Sequence, residues 1–252
     1  GAIGSWPKAA SAISQLLNVD LSELLSSSSL DAGRKNVFFD EACGLVLMLM
    51  ASGALTELDI QWNSLYDNGG YILGSCLHYN ETLRVLDLNT NWIGEKAGVI
   101  FGRALGVNRG LEHVNMSYNK LGIPGGVAMG KAIGSNSKLT FLDLSMNDIH
   151  DEGGVSVADG LRANRTLQTL KLNINGLTGA CAPALALGIQ SNSALGVLDL
   201  GGNDFKEDAP AILQEVVPAT RQVLGFGELA APGPVMPGPR PGPRMPAPLT
   251  LC

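Results

Sequence analysis

The strongest constraint in this sequence is a phrase that recurs at a fixed interval of 28 residues. The phrase is Leu-x-x-Leu-x-Leu-x-x-Asn-x-Leu, with other apolar residues at some of the leucine positions. Its six copies begin at Leu55, Leu83, Leu111, Leu139, Leu167 and Leu195. A repeat of this length cannot bury its apolar face alone, so successive copies must stack into a solenoid.

Each copy contains two different periodicities. The Leu-x-Leu step alternates apolar and other residues, which predicts a short strand with one buried face. In the second half of each copy the apolar residues recur three and four apart, which predicts a helix. Small residues recur on this helical stripe and predict close approach of neighbouring helices: Gly74, Gly102, Gly130, Ala158 and Ala186.

Two columns of asparagine also follow the 28-residue interval. The first is predicted to be structural, because its amides can pair backbone groups where the chain turns off each strand. Its members are Asn63, Asn91, Asn119, Asn147, Asn175 and Asn203. The second is predicted to close each helix in the left-handed conformation that Asn tolerates. Its members are Asn80, Asn108, Asn136, Asn164 and Asn192.

The period, the strand phrase and the helix that ends at Asn resemble the ribonuclease-inhibitor-like class of leucine-rich repeats over about residues 30–217. The resemblance implies an α/β leucine-rich-repeat solenoid, a horseshoe with a concave parallel β-sheet and convex helices. That class includes nuclease inhibitors, sensing regions of NOD-like receptors, Ran GTPase activators and ciliary assembly proteins. The resemblance therefore implies a fold without selecting one function.

The repeat divides the chain into three parts. Residues 1–54 are predicted to form an N-terminal helical cap with a degenerate repeat, residues 55–217 the six repeats, and residues 218–252 a C-terminal cap and Pro-rich tail. The tail carries Arg240, Pro243 and Pro246 at the spacing of a ligand for an aromatic-lined groove. The alternative for the tail is a linker or packing strap.

Charge and cysteine content limit the class of partner and the compartment. Residues 1–228 hold 15 basic and 23 acidic residues, and an acidic body argues against nucleic acid as a partner. The four cysteines lie far apart, which predicts reduced, buried or half-buried thiols in a cytoplasmic, reducing compartment. The most apolar run is far too short to span a bilayer, so no membrane partner is expected.

Two columns of side chains flank the buried leucines of the predicted strands and should face the concave side. The first is an acidic ladder with one basic rung: Asp59, Asp87, Asn115, Asp143, Lys171 and Asp199. It predicts a basic partner and mutual raising of carboxylate pKa values, although Asp at this site can also be a filler satisfied locally. The second is expected to be exposed, and it either anchors an interface or covers the loops. Its members are Trp62, Thr90, Tyr118, Met146, Ile174 and Gly202.

The sequence favours a non-catalytic role. The histidines His78, His113 and His150 occupy different repeat positions, and we find no metal-ligand spacing or phosphate loop, so no catalytic, cofactor or metal site is expected. We expect a protein-binding scaffold or subunit of a hetero-complex, with a cytoskeletal or axonemal assembly suggested by the resemblance. The alternatives are a regulator of an enzyme (a GTPase activator or nuclease inhibitor) and a ligand-sensing receptor fragment.

Overall fold

The computed structural model describes residues 6–206, 209–215 and 222–224, within which helices and short strands alternate. The strands are β1 (Ser29–Asp31), β2 (Glu57–Asp59), β3 (Val85–Asp87), β4 (His113–Asn115), β5 (Phe141–Asp143), β6 (Thr169–Lys171), β7 (Val197–Asp199) and β8 (Gln222–Leu224). The helices are α1 (Trp6–Leu17), α2 (Leu21–Ser26), α3 (Phe39–Ala51), α4 (Tyr66–Leu77), α5 (Glu95–Val107), α6 (Gly122–Ser135), α7 (His150–Ala163), α8 (Ala182–Ser191) and α9 (Ala209–Glu215).

The strands form one parallel sheet in chain order, from β1 to β8. Adjacent parallel strands lie about 4.8 Å apart, whereas packed helices lie about 8–10 Å apart. Because every coil contributes one strand and one helix, the stack must curve with the sheet on its inner side. The predicted α/β leucine-rich-repeat solenoid is therefore confirmed.

The core is a continuous ladder of equivalent apolar residues. The middle residue of each strand from β1 to β7 is buried, as Leu86, Leu142 and Leu170 illustrate. The flanking leucines of the phrase are buried as well, and they join the helical stripe in one hydrophobic cluster. Since each residue packs on its own equivalent in the next coil, the stability of one coil depends on its neighbours.

The first asparagine column forms a buried hydrogen-bond ladder between coils. The Asn119 amide nitrogen donates to the carbonyl oxygens of Leu88 (3.0 Å), Met116 (2.9 Å) and Ser117 (3.2 Å). Its Oδ1 accepts the N–H groups of Asn91 (3.1 Å) and Ile93 (2.9 Å) in the preceding coil. The predicted structural role of this column is confirmed.

The second asparagine column also links the coils, but by a mechanism different from the predicted one. The Asn136 amide nitrogen donates to the carbonyl oxygens of Leu105 (2.6 Å) and Asn108 (3.2 Å) in the coil before it. Its backbone is extended, with φ −77°, as it is at Asn108, Asn164 and Asn192. The predicted left-handed conformation was wrong, because the Asn136 N–H donates to the Ala132 carbonyl oxygen of its own helix from an extended backbone, and its side chain reaches the end of the preceding helix.

The small residues on the helical stripe allow the helices to pack closely. A Cβ at Gly102 would lie 2.7 Å from the backbone carbonyl carbon of Ala128 in α6, and a Cβ at Gly130 would overlap the backbone of Ser156 in α7. Neither backbone contact can be relieved by rotating a side chain. The predicted close approach is thus confirmed for α5, α6 and α7.

The two end strands of the sheet differ from the repeats: β1 keeps the 28-residue interval but lacks the phrase, and β8 lacks the interval. Strand β1 pairs with β2 in the same register as the repeats, with Asp31 opposite Asp59. Strand β8 pairs with β7 so that Gln222 lies opposite Val197, an interval three residues shorter than in the repeats. The sheet therefore extends beyond the six copies of the phrase at both edges.

The cysteines within the described residues are free thiols, as predicted. Cys43 is half-buried, and Cys76 and Cys181 are buried. Burial raises the pKa of Cys76 to about 11 and that of Cys181 to about 12. Both thiols are therefore protonated at neutral pH and poorly suited to act as nucleophiles.

Candidate functional site on the concave sheet

The third residue of each strand from β1 to β7 faces the concave side, and together these residues form what we call the carboxylate column, which includes one Asn and one Lys. In the structure Asp59, Asp87, Asn115, Asp143, Lys171 and Asp199 lie opposite one another in consecutive strands. Asp31 of β1 adds a rung that the six copies of the phrase do not include. The sequence thus placed this column correctly on one face, at the spacing of neighbouring strands.

At each Asp or Asn of the column, one side-chain oxygen accepts a hydrogen bond from a backbone N–H in the turn that follows the strand. Oδ1 of Asp59 accepts the N–H of Gln61 at 2.9 Å, and Oδ1 of Asp87 accepts the N–H of Asn89 at 2.8 Å. The same bond occurs at Asp31, Asn115, Asp143 and Asp199. An Asx turn of this kind stabilises the chain reversal, so the column has a structural role as well as a surface charge.

The second carboxylate oxygen is also engaged at three rungs. Oδ2 of Asp59 accepts Nε2 of Gln61 at 2.8 Å, and Oδ2 of Asp87 accepts Nδ2 of Asn115 at 3.0 Å. Oδ2 of Asp143 lies 3.5 Å from Nζ of Lys171. Asp143 is only 8% exposed, so it is mainly an internal partner of Lys171 and the rung least available to a bound protein.

The carboxylates nevertheless crowd one another at the middle of the column. Burial raises the pKa of Asp87 above its ordinary value, and the negative charges of Asp59 and Asp143 raise it further. The predicted crowding is confirmed in direction, although burial is the larger cause. A cationic group placed over this part of the column would relieve the repulsion.

Replacing Asp87 with Asn should change how the melting temperature depends on pH, because it removes one of the repelling charges. The folded-state pKa is raised, so the stability associated with protonated Asp87 is present below its ordinary pKa of 3.8 and is lost as pH rises through the folded pKa. We expect the melting temperature of Asp87→Asn, relative to that of the wild type, to be higher at about pH 7 than at about pH 3, because the amide carries no charge at either pH. The substitution also removes the acceptor of the Asn115 bond, and that loss occurs at both pH values. Thermal melts at both pH values, with Asp199→Asn as the control, measure this. A relative melting temperature that is no higher at neutral pH would contradict it.

An aromatic and cationic cluster lies beside the column at the centre of the sheet. The rings of His113 and Phe141 are stacked, with centroids 5.8 Å apart and planes at 19°. Nζ of Lys171 lies 5.4 Å from the centroid of Phe141. His113 is exposed and Phe141 is half-buried, so a partner can reach both rings. We call these three residues the central cluster.

Neither of the two columns predicted from the sequence contains His113 or Phe141. Their contact follows from register, because β4 pairs with β5 so that His113 lies opposite Phe141. Lys171 is the third residue of the next strand and joins through its long side chain. Alignment of the first strand position across the repeats also places His113 next to Phe141, so the sequence does contain a signal for this pair.

The second predicted column has an unexpected backbone conformation. Its non-glycine members lie in the left-handed region: Trp62 (φ 56°), Thr90 (55°), Tyr118 (55°), Met146 (57°) and Ile174 (51°). This conformation costs an L-residue about 1–2 kcal/mol and is unusual for β-branched residues. It is held by bonds to the next coil, such as the Tyr118 N–H to the Ser145 carbonyl oxygen at 2.9 Å.

The second column is also less exposed than predicted. Thr90 is buried, and Trp62, Tyr118 and Met146 are half-buried. The Trp62 ring carries the guanidinium of Arg34, whose Cζ lies 5.3 Å from the ring centroid. The column is therefore only partly accessible, and its role as an interface anchor or as a cover of the loops stays a prediction. Substitutions here would disturb the fold as well as an interface.

The remaining predictions concern the tail motif, metal binding and membrane spans. The tail residues Arg240, Pro243 and Pro246 lie outside the described residues. Among the residues that the structure describes, no group of three or more His, Cys, Asp or Glu side chains is arranged to hold a metal ion. In the same part of the chain, no helix has the length and apolar character needed to cross a bilayer.

Comparison with known proteins agrees with this architecture. A family model described as "Leucine Rich repeat" matches residues 79–99, 107–130 and 135–158, and no curated protein sequence matches the chain. Among solved structures, actin-binding site 2 of leiomodin-1 is 17% identical and has a TM-score of 0.48, covering 60% of this chain and 86% of its own. A Bacteroides fragilis protein is 13% identical, with a TM-score of 0.47, covering 87% of this chain and 73% of its own. The matched repeats agree with the stack of strands and helices described above, which is that of an α/β leucine-rich-repeat solenoid.

Proposed function

We propose that this protein is a non-catalytic scaffold that binds another protein through the centre of its concave sheet. The observation that carries the proposal is the central cluster, where His113, Phe141 and Lys171 form an accessible surface beside the carboxylate column. Aromatic side chains are enriched at the energetic centres of protein interfaces. A solenoid offers such a surface on a rigid, preformed sheet.

The charge of the sheet favours a partner with basic groups next to an apolar anchor. Asp59 and Asp87 lie on the N-terminal side of the central cluster, and Glu57 is exposed on the same sheet. In contrast, Asp143 is already paired with Lys171. We therefore place the basic part of the partner over β2 and β3, and its apolar anchor against Phe141 of β5.

The resemblance to the ribonuclease-inhibitor-like class supports a finer proposal. The free, largely buried thiols suit a reducing intracellular compartment. In that setting we propose a subunit of a hetero-complex, with cytoskeletal or ciliary assemblies as its home. A regulator of a single basic enzyme would use the same acidic surface, and it is the alternative outcome of the test.

The test is affinity capture from the native source with a surface variant and a matched control. We expect Phe141→Ala combined with His113→Ala to reduce capture at least tenfold, about 1.4 kcal/mol of binding free energy, while the fold is retained. The control is Tyr71→Ala combined with Tyr79→Ala, which removes two exposed aromatic residues outside the concave sheet. Its capture should match that of the wild type.

Salt dependence and the identity of the captured proteins distinguish the alternatives. Binding over Asp59 and Asp87 should weaken as salt is raised, because exposed charge pairs are screened. A set of co-purifying structural proteins supports the scaffold, whereas one basic enzyme or GTPase supports the regulator. Capture that is unchanged by the central-cluster variant but lost in the control would move the interface to the helical side.

A further inference from the structure

The helical side carries a groove between α5 and α6 that the concave-sheet proposal does not use. Its floor consists of small residues, because Gly102 packs directly against Ala128. Its walls are two stripes, one from each helix: Val99, Arg103 and Val107 from α5, and Val127, Lys131 and Ser135 from α6. The volume is about 590 Å³, and the groove is open to solvent.

The charge of this groove is opposite to that of the chain. The whole sequence has a net charge of −6, yet residues 96–138 contain six Lys or Arg and one acidic residue. That acidic residue, Glu112, lies beside Arg84 at 4.0 Å. Basic side chains are thus concentrated in the two coils that form the groove.

Two of the three cations that line the groove come from one position of the repeat. Arg103 and Lys131 are equivalent residues 28 apart, and both are exposed. The same position is Ser75 in α4 and Asp159 in α7, so the adjacent interhelical grooves do not have a cation on both walls. Arg109 adds a third cation at the end of the groove, where it donates to Oγ of Ser137 at 3.2 Å.

These cations lack internal acidic partners. Within the residues that the structure describes, the ion pairs involve neither Arg103 nor Lys131 nor Arg109. Between them lie aliphatic surfaces, including Val107, which is 48% exposed. The groove therefore combines unpaired positive charge with an exposed apolar strip.

We infer that this groove binds an acidic peptide segment of a partner protein, with apolar side chains interspersed among its carboxylates. Carboxylates would pair with Arg103, Lys131 and Arg109, and guanidinium groups bind carboxylates in a bidentate manner. Apolar side chains would lie on Val99, Val107 and Val127. Aromatic rings on which nucleic acid bases could stack are missing from the residues that line the groove, which favours a peptide over a single-stranded nucleic acid.

This surface is independent of the concave sheet and has the opposite charge preference. A basic segment would bind the sheet and an acidic segment the groove, so one solenoid could hold two partners on its two sides. The two proposals can therefore fail separately.

The experiment first selects peptides from a displayed library of random dodecapeptides, with the full chain as the bait. Fluorescence anisotropy then measures the affinity of the enriched peptide. We expect enriched peptides to be net acidic and to contain Leu, Ile or Phe. Arg103→Glu combined with Lys131→Glu should weaken binding of such a peptide at least tenfold. The control is Lys35→Glu combined with Lys206→Glu, which changes net charge equally at exposed sites outside the groove and should leave affinity within twofold.

The opposite results would overturn the inference. These are failure to enrich acidic peptides, equal weakening by the groove variant and the control, or loss of binding in the Phe141→Ala variant instead. Binding of a mixed-sequence single-stranded oligonucleotide that is lost only in the groove variant would assign the groove to nucleic acid. Self-association that is lost only in that variant would assign it to a second copy of the chain. Circular dichroism checks that both variants are folded.

Discussion

Asn119→Ala should lower the free energy of unfolding by about 3 kcal/mol or more, since each buried polar group that loses its partner costs about 1–3 kcal/mol. Asn119 is 1% exposed and lies in a central coil. Its side chain makes five hydrogen bonds, three to carbonyl oxygens and two from N–H groups. Alanine would leave the buried N–H groups of Asn91 and Ile93 without this acceptor, and water cannot replace the missing amide without opening the coil. The three carbonyl oxygens each keep a second donor.

The matched control for this change is Asn115→Ala on the same strand-loop segment. Asn115 is half-buried on the concave side, where its Oδ1 accepts the N–H (3.0 Å) and the hydroxyl (2.7 Å) of Ser117 and its Nδ2 donates to Oδ2 of Asp87 (3.0 Å). Solvent can replace these bonds on the concave side. We expect it to cost about 1 kcal/mol. Urea denaturation of both variants measures the difference. Equal losses would show that the ladder does not contribute more than an ordinary turn bond.

Gly130→Ala should be about as damaging, for a steric reason. A Cβ at Gly130 would overlap the carbonyl carbon of Ser156, so α6 and α7 would have to move apart. Overpacking of this kind costs about 1–3 kcal/mol and more when backbone must shift. We expect a loss of about 3 kcal/mol, measured by the same denaturation experiment.

Gly134→Ala in the same helix is the control for the steric argument. Its Cβ would lie 3.4 Å from Cα of Gly160, which is an ordinary contact. Because Gly in a helix is less stable than Ala by about 0.5–1 kcal/mol, this substitution should be neutral or stabilising. If Gly130→Ala were tolerated as well as Gly134→Ala, the close packing of α6 and α7 would be refuted.

The repeat allows much of this architecture to be predicted from the sequence, because a constant interval fixes which residues become neighbours. Once residues 28 apart are aligned, Asp59 must lie beside Asp87, and Asn119 beside Asn91 and Asn147. The strand register then follows without knowledge of any distant contact. The carboxylate column and the first asparagine ladder could therefore be placed on the correct faces.

The sequence predicted a degenerate repeat within residues 1–54 but not its strand β1, and there is a physical reason. In the repeats, the ladder Asn donates to a carbonyl 31 residues earlier, in the preceding coil. The first coil has no such repeat before it, and an exposed Lys35 occupies the equivalent position. Without its Asn the phrase is incomplete, yet β1 still forms because β2 offers an edge with which to pair.

The left-handed backbone conformation of the second column could not be inferred from the repeat. Trp62 and Tyr118 are large residues at a loop position, which suggested exposure. Their positive φ values arise from hydrogen bonds between coils, and no residue type in the sequence signals them. In contrast, the basic groove could have been found by aligning the helical halves, since Arg103 and Lys131 occupy one repeat position.

The most direct test of the central claim is site-specific photocrosslinking in the native extract. The photoreactive amino acid p-benzoylphenylalanine would replace Phe141 in the central cluster or, in a second protein, Tyr71 on the helical side. We predict a discrete crosslinked partner from position 141, weaker at high salt, and no equivalent product from position 71. The same partner crosslinking from position 71 and not from position 141 would contradict binding through the concave sheet.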